Sequence, residues 1–265
     1  MPVSNLSALK DLREKGEKIT CLTAYDASFA ALLVNAGVDC LMIGDSLGMV
    51  VQGHRTTVPV RLDDMVYHSQ MVRRGAPEVL LIADLPALSY TSEEQALHAA
   101  TRLIKEGGAQ VVKLEGGAKR IPLVNALVRE DIPVCAHLGL LPQSINKLGG
   151  YRIQGRDQKT ADEILQDAKA MDEAGVSLLV LECVPSALAK SVTESISAIT
   201  IGIGAGPDCD GQVLVTYDLL GLYPGTRPKF SKDFLMEGGS LKGAIQAYVN
   251  AVKQGEFPAP EHSFS

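Results

Sequence analysis

Five successive apolar runs in this chain end on an ionisable side chain: LMIGD on Asp45, LLIAD on Asp84, VVKLE on Glu115, VCAH on His137 and LLVLE on Glu182. Four acids and an imidazole delivered in this way suit chelation of a hard cation and transfer of a proton. Lys113 sits inside the fourth run, and a lysine within apolar sequence must find an anionic partner or lose its charge. A structural ion pair to Glu115 or Glu182 meets that need as well as a substrate carboxylate does.

If the runs are strands, side chains alternate faces with period two. Ile43 then shares a face with Asp45, Ile82 with Asp84, Lys113 with Glu115, and Val180 with Glu182. Four unpaired carboxylates around one opening oppose each other's ionisation and lose hydration, so the cluster needs protons or a cation. Carboxylate oxygens select hard ions such as Mg2+, which accepts one or two protein carboxylates and completes its shell with water and substrate oxygens. Asp45 and Asp84 are the preferred ligands, with Glu115 a third that acts directly or through water. Taken singly, each acid could instead cap the helix after its strand. His137 alone reads as a core histidine, and its place in the series moves it toward substrate binding. A chelated cation beside a free carboxylate suits proton abstraction next to the carbonyl of a 2-oxo acid. Glu182, its pKa raised toward neutrality by partial desolvation, is the expected base.

The elements that must position these groups repeat along the chain. Strand candidates are 19–24, 38–44, 79–84, 110–115, 133–137, 177–182, 198–202 and 212–216. Several are apolar on both phases, as VLLIAD and SLLVLE are, which suits parallel strands covered on both faces. Amphipathic stretches lie between them, with capping boxes expected at Thr91–Gln95 and Thr160–Glu163. Asn35-Ala-Gly-Val38, Glu106-Gly-Gly-Ala109 and Glu173-Ala-Gly-Val176 mark helix ends where glycine permits a left-handed turn. The expectation is an α/β protein, a single (β/α)8 TIM barrel over residues 1–265 with a loosely held tail from about residue 255. Leu47–Pro59 and Gly149–Thr160 are long for such connections and read equally as lids, interface elements or plain surface loops. Gly202-Ile-Gly-Ala-Gly206 follows the seventh strand, where many barrels bind phosphate, but it lacks the dinucleotide fingerprint.

Composition narrows the classes. The 265 residues are 46% hydrophobic and 21% charged, which argues against disorder and is enough for one barrel of about 250 residues. Twenty-five basic against 31 acidic residues give a net charge of −6, so no general nucleic-acid surface is expected, while an anionic small substrate is still permitted. The five cysteines contain no CxxC pair, so a zinc ribbon and a dithiol redox centre lack support, and reduced buried thiols in the cytoplasm are expected. No signal-type apolar region or span of ~20 apolar residues occurs, and no membrane partner is expected. GxSxG, Walker A and HExxH patterns are all missing, which removes the common hydrolase and kinase readings.

The phrases TAYDASFA (23–30), MIGDSLGMVVQGHRTTVPV (42–60), ADLPALSY (83–90), VKLEGG (112–117), VCAHLGLLPQS (134–144), LLVLECVP (178–185) and GIGAGPDCDGQVLV (202–215) run through essentially the whole chain. Together they resemble the ketopantoate hydroxymethyltransferase family. The resemblance implies a Mg2+-dependent barrel that forms the enolate of 3-methyl-2-oxobutanoate. Such a barrel adds a one-carbon unit from 5,10-methylenetetrahydrofolate, giving 2-dehydropantoate for pantothenate synthesis. It implies that Asp45 and Asp84 contact metal and substrate, Glu115 belongs to the metal shell, Ser46 and Lys113 hold substrate, His137 lines the pocket and Glu182 accepts the proton. It also implies small-molecule partners only, the folate lying across the barrel mouth, in a cytoplasmic homo-oligomer, commonly a decamer. A Mg2+-dependent lyase or mutase of the phosphoenolpyruvate mutase/isocitrate lyase type is the nearest rival. Its cysteine-bearing catalytic loop is not found here, Cys183 following Glu182 within VLECVP. A barrel that only binds a ligand or scaffolds an assembly is the rival from another class.

Overall fold

The computed structural model describes residues 3–148, 150, 152–222 and 227–265. Gly149 and Tyr151, within the second long loop singled out above, lie outside the described residues. Eight strands form: β1 (Ile19–Thr23), β2 (Cys40–Ile43), β3 (Leu80–Asp84), β4 (Val111–Glu115), β5 (Val134–Gly139), β6 (Leu178–Glu182), β7 (Ile199–Ile203) and β8 (Gly211–Leu214). Each pairs in parallel with the next, and β8 returns to β1 to close the barrel. Leu, Ile and Val on both phases make this possible, because helices cover the outer face and side chains fill the interior. Every strand residue is buried except Gly139 and Glu182, both at the C-terminal rim. The (β/α)8 expectation therefore holds, with all eight strands in the anticipated places.

Helices Ala27–Asn35, Leu62–Gly75, Glu93–Lys105, Ile121–Arg129, Gln158–Glu173 and Ser186–Ser195 make the first six crossovers. The alternation then departs from expectation, since residues 204–210 join β7 to β8 without a helix. This stretch, GAGPDCD, is too rich in glycine and proline to carry one. The helix Leu241–Lys253 returns to the barrel after β8, fastened by Tyr248, whose hydroxyl donates to the carbonyls of Gln212 (2.8 Å) and Cys21 (3.1 Å).

The helix ends largely follow the sequence. Gly37, Gly108 and Gly175 take φ of 100°, 75° and 91°, the left-handed region that the repeated helix-stop phrase anticipates. Ser92 caps its helix by accepting from the Gln95 N–H at 3.2 Å. The box expected at Thr160 is displaced, because Asp157 is the N-cap and accepts from the Thr160 N–H at 3.0 Å, which leaves Thr160 inside the helix. A carboxylate three residues earlier satisfies the free N–H groups first.

The segment after Gly255 is not loose. Phe257 is buried against Phe234 and Tyr248, with ring centroids 5.4 and 5.9 Å apart. The Phe264 carbonyl accepts from the Ser186 N–H at 2.9 Å, and Lys229 Nζ donates to the Ser263 carbonyl at 2.7 Å. Two aromatic rings in an otherwise polar-looking stretch supply the burial that ties it down. All five cysteines are buried and free. Among the described residues no helix is long and apolar enough to cross a membrane.

Candidate active site

The C-terminal rim of the barrel opens into a cavity of about 730 Å³. Asp45, Ser46, Asp84, Lys113, Glu115, His137 and Glu182 all line it. Both long loops border it too, through Met49, Val50 and Thr57 from one and Arg152, Ile153 and Arg156 from the other.

Strand register explains the convergence. Asp84 stands opposite Lys113 across β3 and β4, Glu115 opposite His137, and Glu182 opposite Gly139. Lys113 Nζ lies 2.9 Å from Asp84 Oδ2 and 3.4 Å from His137 Nδ1. Its ion pair is therefore with Asp84, not with Glu115 or Glu182 as the structural alternative supposed. Asp84 Oδ2 also accepts from the Asp45 N–H at 3.1 Å. His137 Nε2 is 3.2 Å from Glu182 Oε2, though off the line of a hydrogen bond. Ser46 Oγ and the Tyr25 hydroxyl are paired at 2.9 Å.

Gln143 is the connection that sequence reasoning missed. Its Nε2 donates to Asp45 Oδ2 at 2.8 Å and to the Leu85 carbonyl at 2.9 Å, while its N–H donates to Glu115 Oε2 at 3.1 Å. Tyr90 donates its hydroxyl hydrogen to Gln143 Oε1. One residue in the turn Pro142–Ser144 thus holds two of the acids in place, Asp45 by its side chain and Glu115 by its backbone N–H. The LLPQS phrase contained it, but no local pattern ties Gln143 to Asp45.

Charge in the site is unbalanced. Burial and the neighbouring Asp84 charge push Asp45 up to about 7, and burial raises Glu182 to about 7 against the pull of Lys113. Burial holds Glu115 well above the carboxylate range. Burial works against the Lys113 charge too, yet Asp84, Glu115 and Asp45 outweigh it and keep the ammonium charged. Burial and the Lys113 charge depress His137 far below its ordinary value, so the imidazole is neutral, and Lys113 donates to its Nδ1.

Asp84 Oδ1 and Glu115 Oε1 are buried with no hydrogen-bond partner, a state that is unfavourable unless a ligand supplies one. These are hard oxygen donors in an acid-rich cavity, which fits a hard divalent cation. No three His, Cys, Asp or Glu side chains among the described residues assemble into a common metal-binding group.

The remaining wall, from β7 round through β8, is largely apolar, with Ile203, Val213, Val215, Phe230 and Phe264 beside Asp218 and Lys229. The glycine-rich run after β7 serves this wall. Gly204 has φ of 62°, and a Cβ there would sit 3.0 Å from both Phe230 and Phe264.

Against known proteins, the Ketopantoate hydroxymethyltransferase family profile matches residues 4–260. A 3-methyl-2-oxobutanoate hydroxymethyltransferase from Thiobacillus denitrificans is 58% identical over 265 residues, covering 100% of both chains. Another from Halorhodospira halophila is 53% identical, covering 98% of this chain and 94% of its own. Among solved structures, the crystal structure of 2,3-dimethylmalate lyase, a PEP mutase/isocitrate lyase superfamily member, aligns with a TM-score of 0.60 at 16% identity. It covers 84% of this chain and 82% of that one. That likeness is one of fold, whereas the hydroxymethyltransferases match in sequence from end to end. The chain belongs to the ketopantoate hydroxymethyltransferase family, and it is an enzyme of pantothenate synthesis that transfers a hydroxymethyl group.

Proposed function

We propose that this enzyme deprotonates 3-methyl-2-oxobutanoate at C3 with Mg2+ present and adds the methylene carbon of 5,10-methylenetetrahydrofolate to the resulting enolate carbon, water then supplying the hydroxyl oxygen of 2-dehydropantoate as the carbon–nitrogen bond breaks and tetrahydrofolate leaves. The observation that carries this reading is the charge imbalance: Asp45, Asp84 and Glu115 are buried beside Glu182 around a single lysine, Lys113, whose ion pair is with Asp84, and two carboxylate oxygens, Asp84 Oδ1 and Glu115 Oε1, have no hydrogen-bond partner. Asp45 and Asp84 would hold the ion, with Glu115 a further donor directly or through water. When bound, Mg2+ supplies positive charge beside the keto oxygen, where negative charge develops as the C3 proton leaves.

Glu182 takes that proton. Its pKa, raised to about 7 by partial desolvation, makes it a competent base near neutral pH. His137 stays neutral beside it and so does not hold Glu182 in a permanent ion pair. Lys113 and Ser46 hold the substrate carboxylate, fixing C3 within reach of Glu182. Tyr25 aims the Ser46 hydroxyl.

The partners are the oxo acid and the folate, with neither nucleic acid nor membrane. We place the enzyme in the cytoplasm as a homo-oligomer, a decamer by the resemblance. Sedimentation of the purified enzyme gives the copy number.

The deciding experiment is C3 proton exchange of 3-methyl-2-oxobutanoate in heavy water, followed by NMR with and without Mg2+. Mg2+-dependent exchange without folate is the expected result, and no exchange with Mg2+ present overturns the mechanism. Conversion to 2-dehydropantoate only with methylenetetrahydrofolate added then fixes the donor.

A further inference from the structure

The cavity has two unlike halves. From β2 round to β6 the wall is ionic, and from β7 through β8 it is apolar. Two charged side chains interrupt the apolar half, Lys229, whose Nζ donates to the Ser263 carbonyl at 2.7 Å, and an acid. Asp218, in the short helix Thr216–Leu219, lines the cavity with 6% of its surface exposed. Its backbone N–H donates to the Val215 carbonyl at 2.9 Å, but its carboxylate makes no hydrogen bond or ion pair with any described residue. Burial, with the Glu182 charge adding to it, raises this group to about 6. A carboxylate so placed in a wall of Ile, Val and Phe is unfavourable unless something that enters the cavity donates to it.

The entering group can be specified by its chemistry. The oxo acid is small and anionic, so an acid would repel it, and the ionic half already matches its oxygens. A cavity of about 730 Å³ leaves room for a much larger second molecule. Flat apolar walls favour a flat ring system, and a carboxylate pairs best with two adjacent N–H donors on one edge. Phe230 and Phe264 are brought to the wall by the missing side chain at Gly204. Asp218 and Glu182 line the same cavity, so a ring bound at Asp218 shares that space with the proposed base.

We propose that Asp218 recognises the pterin of the one-carbon donor, its two oxygens accepting the ring N–H and the amino group of the 2-amino-4-oxopyrimidine edge while the ring lies along Phe230 and Phe264. This assignment rests on the folate-dependent transfer proposed above and gives that co-substrate a place on the β7–β8 side of the mouth.

The test compares Asp218→Asn and Asp218→Ala with the unmodified enzyme. The KM for methylenetetrahydrofolate should rise about 10- to 100-fold, the range expected for loss of a charge-assisted hydrogen-bonded pair. The loss in folate-dependent transfer should exceed any loss in folate-free C3 exchange by at least tenfold, and retained exchange shows that the variants are folded. Pterin itself, lacking the glutamate tail, should compete with the folate on the unmodified enzyme and not on Asp218→Asn. A folate KM within twofold of the unmodified enzyme for both variants overturns the assignment, as does an equal fall of exchange and transfer. If the unmodified enzyme exchanges the C3 proton yet shows no folate-dependent transfer, the donor reading falls and this assignment with it.

Discussion

The two ends of the barrel bury the same kinds of residue and treat them in opposite ways. At the N-terminal face, Asp39 accepts from the Thr20 N–H (2.8 Å) and hydroxyl (2.7 Å), and the Thr20 oxygen accepts in turn from the Asp39 N–H (3.1 Å). Asp210 and Thr200 repeat the arrangement at 2.8, 3.1 and 3.1 Å. Lys253 lies 2.7 Å from Asp39, and Arg13 lies 3.3 Å from Asp210. At the C-terminal face, Asp45, Asp84, Glu115 and Glu182 crowd around Lys113 with oxygens left over. Carboxylates below are saturated by the chain itself and act as clasps. Those above are left short of partners, which is the condition for binding something else.

The sharpest way to break this contrast is Glu182→Gln. Removing the proposed base while keeping the shape should lower C3 exchange and turnover by roughly 10²- to 10⁴-fold, with the oxo acid still bound by calorimetry. Retained exchange would move the base elsewhere and make Glu182 one more clasp. Lys113→Ala should weaken oxo-acid binding and destabilise the fold by about 3 kcal/mol or more in urea, since Asp84 loses its buried partner. Unaltered affinity with lowered stability would mark Lys113 as purely structural.

Asp39→Ala tests the opposite face. It should reduce stability by about 1–3 kcal/mol because the Thr20 N–H and hydroxyl lose their acceptor, while the Mg2+ dependence of exchange in the folded protein stays as it was. A lost response to Mg2+ would erase the distinction between the faces.

The smallest expected effect is on pH. Asp45 and Glu182 titrate near 7 when folded and near 4 when unfolded, so between those values the folded chain binds more protons. Metal-free stability should therefore fall as pH rises from about 4 to 7, by at most about 1.4 kcal/mol per unit for each group. Mg2+ bound as proposed would hold Asp45 ionised and should flatten that slope. Urea midpoints across this range, with chelator and with Mg2+, make the comparison, and a rise in metal-free stability toward pH 7 would contradict the site's electrostatics.

What the sequence disclosed follows the reach of local rules. Period-two alternation and the ends of apolar runs brought Asp84, Glu115, His137 and Glu182 to one opening, because strand geometry is fixed over a few residues. Gln143 and Asp218 escaped, since each sits in a short turn or helix whose direction depends on residues far away. Gln143 meets Asp45 from 98 residues further along the chain. Burial of the final segment depended on Phe257 and Phe264 finding partners already folded, which periodicity does not encode. The missing seventh helix was legible in GAGPDCD, but the regular rhythm of the earlier units overrode that signal.

The seam between β1 and β8 has a consequence for how the chain reaches this state. Ile19 pairs with Gly211 and donates to the Asp210 carbonyl at 2.9 Å, so the cylinder cannot close until some two hundred residues have been made. Until then the first strand is a bare edge, open to pairing with other nascent chains. Late, long-range closure of this kind is slow, and the hazard during synthesis is aggregation through that edge.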